Sequence, residues 1–223
     1  MPAMLDDPTS PPILHKLDKA AHSFTPEHVT LKDGSNATIL PFTSLSQVPA
    51  SLVAFLHAQL SAEIEAGDTY PMLDALPLES FGPYWFGVFG AVMLEGEHKS
   101  SEDVRDLDAD WSRVCLGSFY TKPNYPGRSS HVCNAGFLVT SAARNKGVGK
   151  QLGKQYLKWA PKLGFTYSVF NLVYETNVAS TKIWDSLGFE RIGRVKKCGK
   201  LKSFPDRKID AIIYGYDFEA ESA

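Results

Sequence analysis

The stretch that most limits what this chain can fold into is CNAGFLVTSAARNKGVGKQLGK, residues 133–154. It opens as an apolar, β-prone run through Val139 and passes Arg144, Gly147 and Gly149 in a short polar segment. Apolar residues then recur at Val148, Leu152, Tyr156 and Trp159. That recurrence is an amphipathic helix, and the run before it is a strand. A strand that enters a helix through a glycine turn leaves the helix's first N–H groups unpaired and aimed at one point, where the helix dipole also favours negative charge. Phosphate suits such a place. The competing reading is a plain surface turn into a helix.

Two familiar phosphate loops fail here. A P-loop needs glycine at Arg144 and Ser or Thr at Gln151. A dinucleotide fingerprint starting at Gly147 needs glycine where Leu152 stands, and it should open the chain rather than follow several strands.

The remainder reads as mixed α and β. NATILPF (36–42) is a strand. Leu52, Leu56, Leu60 and Ile64 make an i, i+4 stripe on a helix that ends near Gly67. YWFGVFGAVML (84–94) and SRVCLGSFYTK (112–122) read as strands, and EGEHKSSEDVRDLDAD (95–110) as a charged, exposed insertion with no core to bury. FTYSVFNLVY (165–174) is a strand covered on both faces. TNVASTKIWDSLGF (176–189) is a second helix with an Asn start and Gly188 at its end. ERIGRV and DAIIYGYDF read as closing strands. Residues 1–35, with five prolines and little periodicity, form an arm that is loose or draped on the body. Residues 36–223 form one α/β domain around a mixed sheet.

The segment Arg144-Asn145-Lys146-Gly147-Val148-Gly149 resembles the Arg/Gln-x-x-Gly-x-Gly/Ala pyrophosphate loop of the GCN5-related N-acetyltransferases (GNAT). A second family pattern follows at the expected distance, Asn177-x-x-Ser180-x-x-x-Trp184-x-x-x-Gly188-Phe189. The segments LGSFYTKPNYPGRSSHVCNAGFLV, FNLVYETN, IWDSLGFERIG and DAIIYG are similar to the fungal proline-analogue branch of that family, which acts on azetidine-2-carboxylate and pyrroline-5-carboxylate. The resemblance covers the chain from NATILPF to Tyr216. It omits the arm and is poor in the 95–110 insertion and in the basic loop after Val195.

The resemblance implies a single-domain GNAT fold: a mixed, mostly antiparallel sheet flanked by helices, with splayed central strands. It implies acetyl-CoA as co-substrate, no metal, and direct transfer of acetyl to an amine. Phe137, Leu138 and Val139 would lie beside the pantetheine arm, with the Phe137 N–H donating to the acetyl carbonyl. Arg144, Lys146, Gly147, Val148 and Gly149 would cradle the pyrophosphate. Asn177 would cap its helix and donate its amide N–H to the thioester sulfur. Many members place a Tyr seven positions later as thiolate partner; Trp184 stands there, and an indole N–H is no proton donor of that kind. Asn134, with the backbone N–H groups of Asn171 and Leu172, would bind the carboxylate of a small amine, although a buried Asn in a strand also suits a structural cross-strand bond. No general base stands out among Glu175, Tyr174 and His131.

Composition narrows the rest. A net charge of −2 and a pI of about 6.3 argue neither for nor against an anionic partner, and no nucleic-acid partner is expected. Seven Lys/Arg between Arg194 and Lys208 read as a solvated hairpin. Three cysteines without ligand spacing argue against a disulfide framework or zinc. A Cys133 nucleophile with His131 as its base is a minor rival. The expectations are a small-molecule amine partner, a homodimer as the family often forms, no membrane, and a cytoplasmic location with mitochondria as the alternative. The rival functions are acetylation of a peptide or other amine, and a non-catalytic acetyl-CoA sensor.

Overall fold

The computed structural model describes residues 24–105, 107 and 109–220. Residues 1–23 of the expected arm lie outside them. The sheet already takes in Glu27–Thr30 (β1), which pairs with Asn36–Phe42 (β2). Then come Ala50–Ala66 (α1), Leu78–Phe86 (α2), Phe89–Glu95 (β3), Trp111–Val114 (α3), Cys115–Pro123 (β4) and Val132–Val139 (β5). Val148–Trp159 (α4), Tyr167–Tyr174 (β6), Val178–Ser186 (α5), Glu190–Gly199 (β7) and Ile209–Asp217 (β8) complete the chain. The strand order is β1-β2-β3-β4-β5-β6-β8-β7. Every neighbouring pair is antiparallel except β5 and β6, which run parallel.

Strand alternation splits the core into two layers. Phe89, Phe119, Cys133 and Phe170 face α4, where they meet Val148, Leu152, Tyr156 and Trp159. Val92, Leu94, Tyr120 and Leu138 face Leu52, Leu56, Leu60 and Ile64 of α1 and Phe81, Trp85 and Phe86 of α2. Both stripes read from the sequence, on α1 and α4, are buried along their length.

Four sequence readings need correction. The run 84–94 is not one strand: Tyr84–Phe86 end α2, and β3 starts only at Phe89. Aromatic residues favour strands, but Phe81 and Trp85 stack at 5.5 Å across one helical turn, and that packing wins. Likewise Ser112–Val114 belong to α3. The 95–110 insertion does reach the core: Val104 is fully buried in the α1/α2 layer, and the Ser101 hydroxyl donates to the Pro41 carbonyl at 2.5 Å. The basic hairpin is docked rather than simply solvated. The Lys202 N–H donates to the Gly67 carbonyl at 3.2 Å, and Ser203 bonds to Asp68 through its N–H and its hydroxyl. Among the described residues no helix is long and apolar enough to cross a membrane.

Candidate active site

β5 and β6 share only two rungs, Val132↔Tyr167 and Cys133↔Ser168, and then part. The last rung is pinned from the α4 side by a buried chain: the Tyr156 hydroxyl lies 3.0 Å from the Cys133 sulfur and donates to Ser168 Oγ at 2.7 Å. On the opposite face Asn134 donates its amide N–H to the Val169 carbonyl at 2.9 Å, a side-chain bridge where the next backbone rung would be. Beyond it the strands open a cleft of about 870 Å³.

The open edge of β5 faces this cleft. The Asn124 N–H of the connecting turn donates to the Val132 carbonyl at 2.8 Å, and the Thr140 N–H donates to Leu116 of β4 at 3.1 Å. Backbone groups alternate along a strand, so even-numbered residues point to β4 and those of Phe137 and Val139 point into the gap. The Tyr70 hydroxyl donates to the Phe137 carbonyl at 3.0 Å, as that direction requires. Burial pushes the Tyr70 phenol well above its usual range, so it stays protonated as a donor.

Past β5, Gly147 caps α4 at φ 87° with no side-chain cap bond. The N–H groups of Lys150 and Gln151 both return to the Gly147 carbonyl, at 3.1 and 3.2 Å, which leaves those of Val148 and Gly149 at the cleft. A side chain at Gly147 would be strained by that φ, and its Cβ would stand 3.1 Å from Lys32 Cγ. Gly149 has a second reason to be glycine: its Cβ would stand 3.0 Å from Ile183 of α5. A backbone cradle that excludes Cβ atoms beside an uncapped helix N-terminus fits a diphosphate.

Asn177 starts α5. Its Oδ1 accepts from the Ser180 N–H at 3.2 Å, and its amide NH2 has no partner among the described residues. Trp184 floors the cleft, its ring 4.8 Å from those of Phe137 and Phe170.

Of the residues expected from the sequence, Phe137, Leu138, Val139, Arg144, Gly147, Val148, Gly149, Leu172 and Asn177 line this one cleft. Lys146 stands back in an ion pair with Asp33 at 3.3 Å. Asn134 is fully buried on the α1/α2 side, opposite Lys122 in register, and is not part of the lining. Asn171 and Leu172 sit in a bulge outside the β6–β8 ladder, and Asn171 is held by a reciprocal amide pair with Asn124 at 3.0 and 2.7 Å. The thiol rival fails. Cys133 is buried against Tyr156, its thiol pushed up to about 12 by desolvation, while His131 is exposed. Sequence reading missed Tyr70, Glu63 and Lys32 at the cleft. They come from α1, its following loop and the β1–β2 turn, with no local motif to mark them.

The chain matches the acetyltransferase (GNAT) family over residues 82–189. It is 42% identical over 170 residues to the N-acetyltransferase aca1 of Schizosaccharomyces pombe, an alignment covering 75% of this chain and 80% of that protein. It is 35% identical over 237 aligned positions to Protein SPT10 of Saccharomyces cerevisiae, covering 90% of this chain but only 37% of that longer relative. Its fold is similar to that of yncA from Salmonella typhimurium, solved with its cofactor acetyl-CoA: TM-score 0.64 at 16% identity, over 85% of this chain and 98% of that one.

Proposed function

The chain belongs to the GNAT acetyltransferase family and is an acetyl-CoA-dependent N-acetyltransferase, and from that premise we propose that its acceptor is a small carboxylated cyclic amine of the azetidine-2-carboxylate or pyrroline-5-carboxylate type. The bound co-substrate supplies an activated acetyl thioester; the chain supplies alignment and donors. The phosphate end rests on the first turn of α4. The Phe137 N–H, aimed into the gap, donates to the acetyl carbonyl, where charge develops. The Asn177 amide NH2 donates to the departing sulfur while its Oδ1 stays on Ser180.

One observation carries the acceptor assignment: the polar groups on the α1/α2 side of the splay. The Lys122 ammonium lies 3.8 Å from the centre of the Tyr84 ring, and Lys122 is the register partner of Asn134 in the β4–β5 ladder. Asn134 lies buried just behind the cleft lining, where one amide N–H beyond its bond to Val169 and an Oδ1 without a partner among the described residues leave it able to meet the acceptor once the splayed strands admit it. The bulge of β6 at Asn171 and Leu172 sets the Leu172 backbone beside this group, where it assists. The one carboxylate in the described lining, Glu63, is bound to Arg144. A polyamine therefore finds no anionic clamp. Glu175 is tied to Arg194 at 3.1 Å, His131 lies exposed on the surface, and Tyr174, although it lines the cleft, is held protonated because burial raises its phenol above the usual range, so the acceptor enters as free amine.

The test is thiol release from acetyl-CoA with azetidine-2-carboxylate, proline, pyrroline-5-carboxylate, a polyamine and a lysine peptide. Turnover confined to the cyclic acids, with Asn134→Ala raising mainly KM, is the expected result. Turnover of the peptide or polyamine alone would overturn the acceptor assignment while leaving the family untouched.

A further inference from the structure

The two cations of the loop motif are already engaged. The Arg144 guanidinium pairs with Glu63 on α1, and the Lys146 ammonium pairs with Asp33 at 3.3 Å. Asp33 is fastened in turn by the N–H and hydroxyl of Ser35, at 3.1 and 2.6 Å. Counted with these partners, the motif brings almost no net positive charge to a diphosphate. The lining holds three further cations, Lys32, Lys150 and Lys182, and of these Lys32 is the one that runs along the glycine start of α4. Lys32, in the β1–β2 turn, donates its backbone N–H to the Lys146 carbonyl at 3.1 Å, which locks the turn to the loop. Its side chain runs along Gly147: Cγ, Cδ and Cε all stand within 3.4 Å of where a Gly147 Cβ would be. Its ammonium has no carboxylate partner among the described residues. It lines the cleft with Gly147, Val148 and Gly149.

We propose that Lys32, outside the family's loop motif, is a phosphate ligand of the bound acetyl donor, with the β1–β2 turn forming a third wall of the cradle. An anion on the α4 N-terminus draws a flexible ammonium at this distance into a charge-assisted hydrogen bond. Glu63 then acts in opposition, because it holds Arg144 away from the same anion. The inference rests on acetyl-CoA dependence and not on the acceptor proposed above, so the two fail separately.

The test is calorimetric binding of CoA and of dephospho-CoA to the native protein and to K32M, K32R and E63Q. The expected result is that K32M weakens CoA binding roughly tenfold at low salt, that added salt narrows this gap, that K32R restores binding, and that E63Q tightens it. An equal K32M loss with both ligands assigns Lys32 to the diphosphate; a loss seen only with CoA assigns it to the 3′-phosphate. K32M binding CoA within about twofold of native overturns the proposal, as does a loss that K32R fails to restore or that salt leaves unchanged. Thermal melts of each variant separate a folding defect from lost affinity.

Discussion

Helices α4 and α5 both begin at the cleft, and they begin differently. Gly147 enters α4 in the left-handed region and offers no side-chain cap, so the first N–H groups are free for a ligand. Asn177 enters α5 with its side-chain Oδ1 accepting from the Ser180 N–H, so that helix satisfies itself and leaves an amide NH2 over. An open helix start is a general anion site with little angular selectivity. A capped start with one spare donor is a single, aimed hydrogen bond. The first suits holding a phosphate tail and the second suits a reacting atom, and the fold puts both on one cleft because β5 and β6 separate after two rungs.

The comparison breaks most sharply at Asn177. Asn177→Ala is expected to lower kcat on the order of a hundredfold and stability by about 1 kcal/mol through the lost cap. Asn177→Asp keeps an oxygen for Ser180, so melting should recover while turnover stays low. Recovery of both would mean that the spare N–H does no chemistry. At the other helix, Gly147→Ala should cost about 1–2 kcal/mol from its φ of 87° and also weaken CoA binding, because the new Cβ pushes Lys32. Gly34→Ala is the matched control: its φ is 84° and nothing lies within 4 Å of its Cβ position, so melting should fall comparably with CoA affinity unchanged. If the two variants lose CoA alike, the cradle argument fails.

The smallest effect concerns how α5 is anchored at its far end. Asp185 accepts from Arg191 at 3.0 and 2.6 Å and from the Tyr214 hydroxyl at 3.0 Å, and Arg191 first, then Tyr214, hold its carboxyl below the usual range. A carboxyl depressed in the folded state adds stability above its unfolded pKa of about 3.9 and loses it as pH falls through the folded value. Melting temperature should therefore be level above about pH 5 and decline below it, and Asp185→Asn should flatten part of that decline. An identical acid profile in the variant would remove Asp185 from the account.

Legibility followed range. β2, β5, α1, α4 and α5 were readable because each carries its own local pattern: alternation, an i, i+4 stripe or a cap. The Asn177 cap was readable for the same reason, since its partner lies three residues on. α2 was not, because Trp85 and Phe86 are strand-formers whose helical state is decided by packing on Phe81, Phe42 and Tyr120. Nor was Val104, whose charged neighbours hide it until β2 and α1 come together around it.

By itself, the chain's order of residues determined the strand–loop–helix unit and its uncapped glycine start, since these depend on φ, hydrogen-bond donors and spacing within a few residues. Tertiary structure decided what that unit faces. It closed Glu63 onto Arg144 and Asp33 onto Lys146, laid Lys32 along Gly147, and turned the Tyr70 hydroxyl onto the Phe137 carbonyl. Those contacts join residues tens of positions apart, and no local pattern encodes a pairing that only the sheet's geometry brings within hydrogen-bond reach.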